Sequence, residues 1–235
     1  MANWISHIMI ADRLLKMGLS LDAQGLCIGS IAPDCNVENE TWTSFTPPRE
    51  VTHFMTGDSK LTADHEGFFA RHIAGKAFES EPQRAYLIGY YAHLFTDAAC
   101  QRFIRDEQRV IASYARILQA PALAEKVRGL PETFDTLKQV FGKLTVWGDI
   151  AAYEQRYILA HPDSMYNRIL RRTKDFPDYL GILPVGAISR KIPRMAYEVT
   201  DAKETGMRFF SEQEIDEFIT DTANSIFHSV CEKEP

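Results

Sequence analysis

Apolar positions along most of this chain recur at spacings of three and four, the period of a helix with one buried face, and few runs alternate at period two. In NWISHIMIADRLLKMG, Ile5, Ile8, Met9, Leu14 and Leu15 carry that spacing, with Asn3 as candidate cap and Gly18 as candidate stop. LDAQGLCIGSIAPDCNVENETWTSFTPPRE opens as a short helix and turns to loop chemistry at Gly29, Pro33, Asn36, Asn39 and Pro47–Pro48. A helix is predicted from about Lys60 to Phe78. EPQRAYLIGYYAHLFTDAACQRFIRDEQRVIASYARIL reads as a long helix, broken in two near Asp106.

The second half repeats the theme with more breaks. One helix starts near Pro131 and carries Phe134, Leu137, Val140 and Phe141. Another spans roughly Ile150 to Leu159, and SMYNRILRRTKDF is a short third, stopped before Pro177. GILPVGAISRKIP, apolar and punctuated by Gly and Pro, reads as a buried loop or connector. The last helix starts at a capping box, Ser211 to Glu214, and continues through Ile215, Phe218, Ile219, Thr222 and Ile226. No internal repeat or linker marks a boundary, so the expectation is an all-α, single-domain multi-helix bundle over residues 1–235.

The 235 residues, 45% of them hydrophobic, suffice for one sizeable core. The net charge of −6, without a basic stripe, gives no support to a nucleic-acid-binding surface. No run approaches the ~20 apolar residues of a transmembrane segment, and Asp12 and Arg13 interrupt any secretory signal. Four scattered cysteines, Cys27, Cys35, Cys100 and Cys231, form no CxxC pair, which points to a free-thiol, cytoplasmic protein.

Against this apolar background five polar residues stand out. In GYYAHLFTDAAC, His93 and Asp97 lie at i and i+4, above one another on one helix face, on a stripe shared with Tyr86, Gly89, Tyr90 and Cys100. A buried ionised Asp is expensive unless paired. The two side chains are either a hydrogen-bonded core pair or ligands of one ion. His7 falls on the apolar face of the first helix, Asp34 ends the tight segment GSIAPD, and His53 sits in VTHF between apolar neighbours. Three His and two Asp within the first 97 positions suit zinc or a similar divalent ion.

The runs NWISHIMIADRLL, GSIAPD, THF and GYYAHLFTD, in that order, resemble the zinc-dependent phospholipase C family, also called the phospholipase C/D domain. That family is all-helical and similar in plan to the single-strand-specific zinc nucleases (the phospholipase C/P1 nuclease type). The resemblance covers about the first 100 residues. It implies Asp34, His53, His93 and Asp97 as ligands of one metal, and His7 with a shared Asp97 as ligands of a second. The chain departs from the secreted phospholipases in three places. Met-Ala-Asn precedes Trp4, which is therefore read as core. Phe103 and no His follows the HxxxD motif. Met165, not Glu, lies four residues after His161. One or two zinc ions are thus expected rather than three.

The implied activity is a metal-dependent phosphoester hydrolase with a metal-activated water as nucleophile and Asp34 as general base. Its substrate would be a small phosphoester or a phospholipid head group. Lys60, Asp64, His65 and Tyr90 are candidate substrate-binding residues, Lys60 for a phosphate; Arg190, Lys191 and Arg194 either meet an anionic substrate or are surface charges. An HD-type phosphohydrolase is disfavoured, since no His-Asp dipeptide occurs. The non-enzymatic alternative is a helical metal- or ligand-binding protein derived from such a hydrolase. Oligomeric state has no signature in the sequence.

Overall fold

The computed structural model describes residues 3–41 and 43–233. Among them lie thirteen α-helices and one two-stranded antiparallel pair, so the mostly helical expectation holds. α1 (Trp4–Lys16) stops before Gly18, which adopts φ 100°. α2 (Ala23–Gly29), capped by Asp22, leads into a 3-10 turn over Ala32–Asp34. Strands β1 (Val37–Glu38) and β2 (Phe45–Thr46) pair with Val37 opposite Thr46. α3 (Arg49–Thr52), a 3-10 turn at Lys60–Thr62 and α4 (His65–His72) follow. α4 begins later than the helix predicted from Lys60, because the Asp64 carboxylate accepts from Gly67 N–H at 2.9 Å and caps it there.

α5 (Glu81–Phe103) and α6 (Glu107–Leu118) divide where predicted, with Asp106 capping α6 through Arg109 N–H at 2.9 Å. α7 (Pro121–Val127), α8 (Phe134–Phe141), α9 (Lys143–Val146), α10 (Gly148–Ala160) and α11 (Met165–Arg168) lead to α12 (Ala187–Met195). α12 corrects the loop reading of GILPVGAISRKIP: Ala187, Ile188, Ile192 and Met195 are buried at helical spacing, and Pro193 falls in the last turn. Gly and Pro had masked that period. α13 (Glu212–Lys233) begins at the expected capping box, with Ser211 and Glu214 bonding each other's backbone N–H groups at 2.6 and 3.2 Å.

One contiguous buried cluster runs from Ile5 to Val230. α5 lies at its middle, with fourteen of its residues buried. Its closest partner is α2, and glycine makes that approach possible. A Cβ at Gly29 would lie 2.1 Å from the Tyr86 carbonyl oxygen, and one at Gly89 would lie 2.4 Å from that of Leu26. The small residues on the His93 stripe therefore admit a neighbouring backbone. No helix among the described residues is long and apolar enough to cross a membrane.

The second half holds α1 in place. Glu154 of α10 accepts from Ser6 N–H at 2.9 Å and from Asn3 Nδ2 at 2.9 Å, so the cap of α1 comes from a distant carboxylate instead of the Asn3 side chain. Tyr157 donates to Asp12 at 2.8 Å, and Arg13 pairs with Asp216 of α13 at 2.5 Å. Burial pushes the Glu154 carboxyl up to about 7, against its hydrogen bonds from Ser6 and Asn3.

Gly89→Ala is expected to lose stability despite a helix-propensity gain of about 1 kcal/mol, because overpacking against backbone costs about 1–3 kcal/mol or more. Denaturant unfolding checks this; a neutral or stabilised variant contradicts the close approach. Glu154 holds its proton more tightly when folded. Its contribution to stability is therefore complete below the unfolded value near 4.5 and is lost as pH rises through about 7. That contribution amounts to about 3 kcal/mol at most. Thermal melts at pH 5 and pH 8 should show Glu154→Gln gaining on the wild type at the higher pH; an unchanged difference rejects it.

Candidate metal centre

Four elements deliver the cluster. His7 comes from α1, Asp34 ends the 3-10 turn after α2, His53 is the residue after α3, and His93 and Asp97 stand one turn apart on α5. His53, His93 and Asp97 are fully buried, His7 is 2% exposed and Asp34 7%. All five predicted metal residues are thus brought together in the core. They form two groups whose ligand atoms lie within 4.8 Å of one another: His7, His93 and Asp97; and Asp34, His53 and His93.

Backbone carbonyls orient the imidazoles. His93 Nδ1 lies 2.8 Å from the Ser30 carbonyl oxygen, and His53 Nδ1 lies 3.1 Å from that of Arg49. A carbonyl oxygen only accepts, so the Ser30 carbonyl calls for a proton on His93 Nδ1 and bares its Nε2 lone pair; His53 Nδ1 meets the Thr52 hydroxyl at 3.0 Å as well as the Arg49 carbonyl, and with its proton on Nδ1 it bares Nε2 too. Those two nitrogens face each other at 3.3 Å. Asp97 Oδ2 completes a triangle, 3.3 Å from His93 Nε2 and 3.5 Å from His53 Nε2. Ligands bound to zinc at ~2.0–2.1 Å in a tetrahedron stand about 3.3–3.4 Å apart, so the triangle has the dimensions of one tetrahedral face. Asp34 Oδ1, 3.2 Å from His53 Nε2, is placed to add a fourth ligand. Buried acceptors this close repel unless a proton or cation lies among them.

His7 supplies the remaining polar atoms. Its ring stacks on that of His93, with centroids 3.9 Å apart and planes 6° from parallel. Neither His7 nitrogen has a hydrogen-bond partner, nor does Asp97 Oδ1, 3.7 Å from His7 Nε2. Because Ser30 occupies His93 Nδ1, that ring can ligate through Nε2 alone. The two groups cannot both draw on it, and His7 with Asp97 Oδ1 is what remains for a second ion.

One cation of the chain itself reaches the cluster. Lys60 Nζ lies 2.5 Å from Asp97 Oδ2 and 3.5 Å from Asp34 Oδ1, its side chain only 10% exposed. Burial opposes ionisation of both carboxyls, yet Lys60 and the adjacent imidazoles outweigh it and hold each well below the usual carboxylate range. Burial pushes the His7 and His53 rings down, so both are neutral near pH 7. Lys60, expected to meet a phosphate, faces the two carboxylates of the cluster.

The other expected residues sit around this centre or away from it. Tyr90 is fully buried and donates to the Thr52 carbonyl at 2.5 Å, bracing the turn that carries His53. Asp64 caps α4, and His65 packs its ring against Phe95 with centroids 4.8 Å apart; neither belongs to the two groups. Lys191 and Arg194 converge on Glu38 at 2.5 and 2.8 Å, and Arg190 approaches it at 3.8 Å. Trp4 is more than core, since its indole donates to Asp34 Oδ2 at 3.0 Å. The Ser30 and Arg49 carbonyls went unpredicted, as a backbone acceptor leaves no residue type to read. A cavity of about 450 Å³ lies elsewhere, between Phe176, Asp178, Leu183 and Ile188.

No family model matches the chain, and no curated protein or solved structure matches it either.

An ion that binds the folded state alone stabilises it by about 2.7 kcal/mol at a hundredfold excess over Kd, or roughly 5–10 °C for a chain of this size. Zinc should raise the melting temperature of the wild type by that order and that of Asp97→Asn by much less. Equal shifts in both proteins, or none in either, count against the centre.

Proposed function

We propose that the protein is a metal-dependent hydrolase of phosphoesters, related to the zinc-dependent phospholipase C family and of the phospholipase C/P1 nuclease type. The observation that carries this reading is the convergence of two bared imidazole nitrogens with the Asp34 and Asp97 oxygens. The ordered motifs from His7 to Asp97 support the family. The buried cluster continuous from Ile5 to Val230 supports a single domain.

Asp34, His53, His93 and Asp97 would hold the first ion, and His7 with Asp97 Oδ1 would begin a second. Mixed imidazole and carboxylate donors suit zinc, with other divalent metals of similar geometry as alternatives. Such an ion supplies Lewis acidity toward a phosphoryl oxygen and lowers the pKa of bound water to ~7. The chain's own part is orientation and proton handling. The Ser30 and Arg49 carbonyls fix the His93 and His53 tautomers, and Trp4 fixes Asp34 through Oδ2. In this reading His53, His93 and Asp97 hold the ion firmly, and Asp34, only loosely ligated through Oδ1, leaves the fourth position open to water and is the proton acceptor. Its low pKa suits it to orient an already acidified water rather than to remove a proton from an ordinary one. A small phosphoester or a phospholipid head group is the substrate class.

The full burial of His53, His93 and Asp97 favours one competing reading, a coordinatively closed structural ion in a protein without turnover. Zinc-loaded protein assayed on p-nitrophenyl phosphodiesters, phosphomonoesters and phosphocholine esters separates the two. Hydrolysis of at least one class is expected, reduced more than roughly a hundredfold in Asp97→Asn. Zinc bound tightly without turnover on any of them would favour the structural ion.

A further inference from the structure

Lys60 lies in the 3-10 turn Lys60–Thr62, whose neighbours Ser59 and Leu61 are exposed. The turn is a short excursion tied at its base by the Met55–Ala63 bridge. From this surface position the side chain reaches inward, and its ammonium comes to rest between the carboxylates of Asp97 and Asp34. These same oxygens, Asp97 Oδ2 and Asp34 Oδ1, are the ones that approach the two bared His Nε2 atoms.

Charge balance decides whether ammonium and ion can share the site. The two carboxylates carry −2, and the Lys60 ammonium that lies against both reduces this to −1. A divalent ion added beside Lys60 leaves +1 in the core; the same ion in place of Lys60 leaves zero. At low local dielectric, unbalanced charge is the expensive outcome, and two cations bound to one carboxylate oxygen repel each other strongly. The ammonium also has somewhere to go: the side chain is only 10% exposed, but it hangs from a turn whose neighbours Ser59 and Leu61 are at the surface.

On the metal-centre reading, on which this rests, we infer that Lys60 is a built-in competitor of the metal: a divalent ion replaces its ammonium on Asp97 and Asp34 instead of joining it. Lys60 thereby lowers the affinity of the centre and keeps its carboxylates neutralised when metal is scarce. Metal entry expels the side chain toward solvent.

The test is zinc affinity of the full-length protein, measured by competition with a chromogenic chelator, for wild type, Lys60→Met and Lys60→Arg. Lys60→Met should bind about tenfold tighter or more, and Lys60→Arg, which keeps the charge, should stay near wild type. In wild-type protein, acetylation of Lys60 by acetic anhydride, followed by mass spectrometry, should increase when zinc is added. The second measurement needs no variant and decides the matter if Lys60→Met does not fold. Equal or weaker binding by folded Lys60→Met, or acetylation of Lys60 that zinc leaves unchanged or suppresses, overturns the competition while leaving the metal centre standing. Zinc bound by neither protein removes the metal reading and the competition with it.

Discussion

The contact between α2 and α5 is the constraint on which the centre depends. Gly29 and Gly89 let two helix backbones meet at a distance that any side chain would forbid. That closeness puts the end of α2 against α5 and sets the Ser30 carbonyl on His93 Nδ1 at 2.8 Å. The carbonyl then decides which nitrogen of His93 bears the proton, and hence which lone pair faces His53 and Asp97. It also carries the chain, through the short turn after α2, to Asp34. A steric allowance at two glycines becomes, within one residue, a choice of tautomer.

Electrostatics sets the second level of order. Burial makes isolated carboxylates costly, yet Asp34 and Asp97 are held ionised chiefly by the Lys60 ammonium that lies against both. Burial pushes the His7 and His53 rings toward their neutral form. The result is a concentration of acceptors with few donors in the driest part of the core. A brace of hydrogen-bonded core residues has matched donors and acceptors. Here His7 and Asp97 Oδ1 keep none, which favours a cation as the organising partner over mutual hydrogen bonding.

Much of this was legible in the chain. Helical period exposed α1, α5, α6 and α13, and the polar interruptions of that period marked His7, His93 and Asp97, since an imidazole on an apolar face requires a reason. Asp34 and His53 were legible because their neighbours are apolar or small. What remained hidden lacks a side-chain signature or depends on distant sequence. The Ser30 and Arg49 carbonyls belong to the backbone, which every residue shares. Lys60 reads as a candidate phosphate ligand, and its approach to Asp34 and Asp97 emerges only when the fold brings its turn over α5. The indole of Trp4 joins Asp34 only once α1 crosses the end of α2. In α12, Gly and Pro around a short amphipathic segment obscured a helix whose buried face is set by packing.

The ties on α1 bear on the order in which the protein can mature during synthesis. The helix that carries His7 is made before Glu154, Tyr157 and Asp216, the residues that hold it. A nascent chain that has just released α5 already contains every histidine and aspartate of the cluster, yet not the groups that cap and anchor α1. The anchors that seat His7 against His93 thus come from α10 and α13, which are synthesised after every ligand of the cluster. Chaperones or metal ions meeting the growing chain would encounter Asp34, His53, His93 and Asp97 as a partly formed set before His7 is seated.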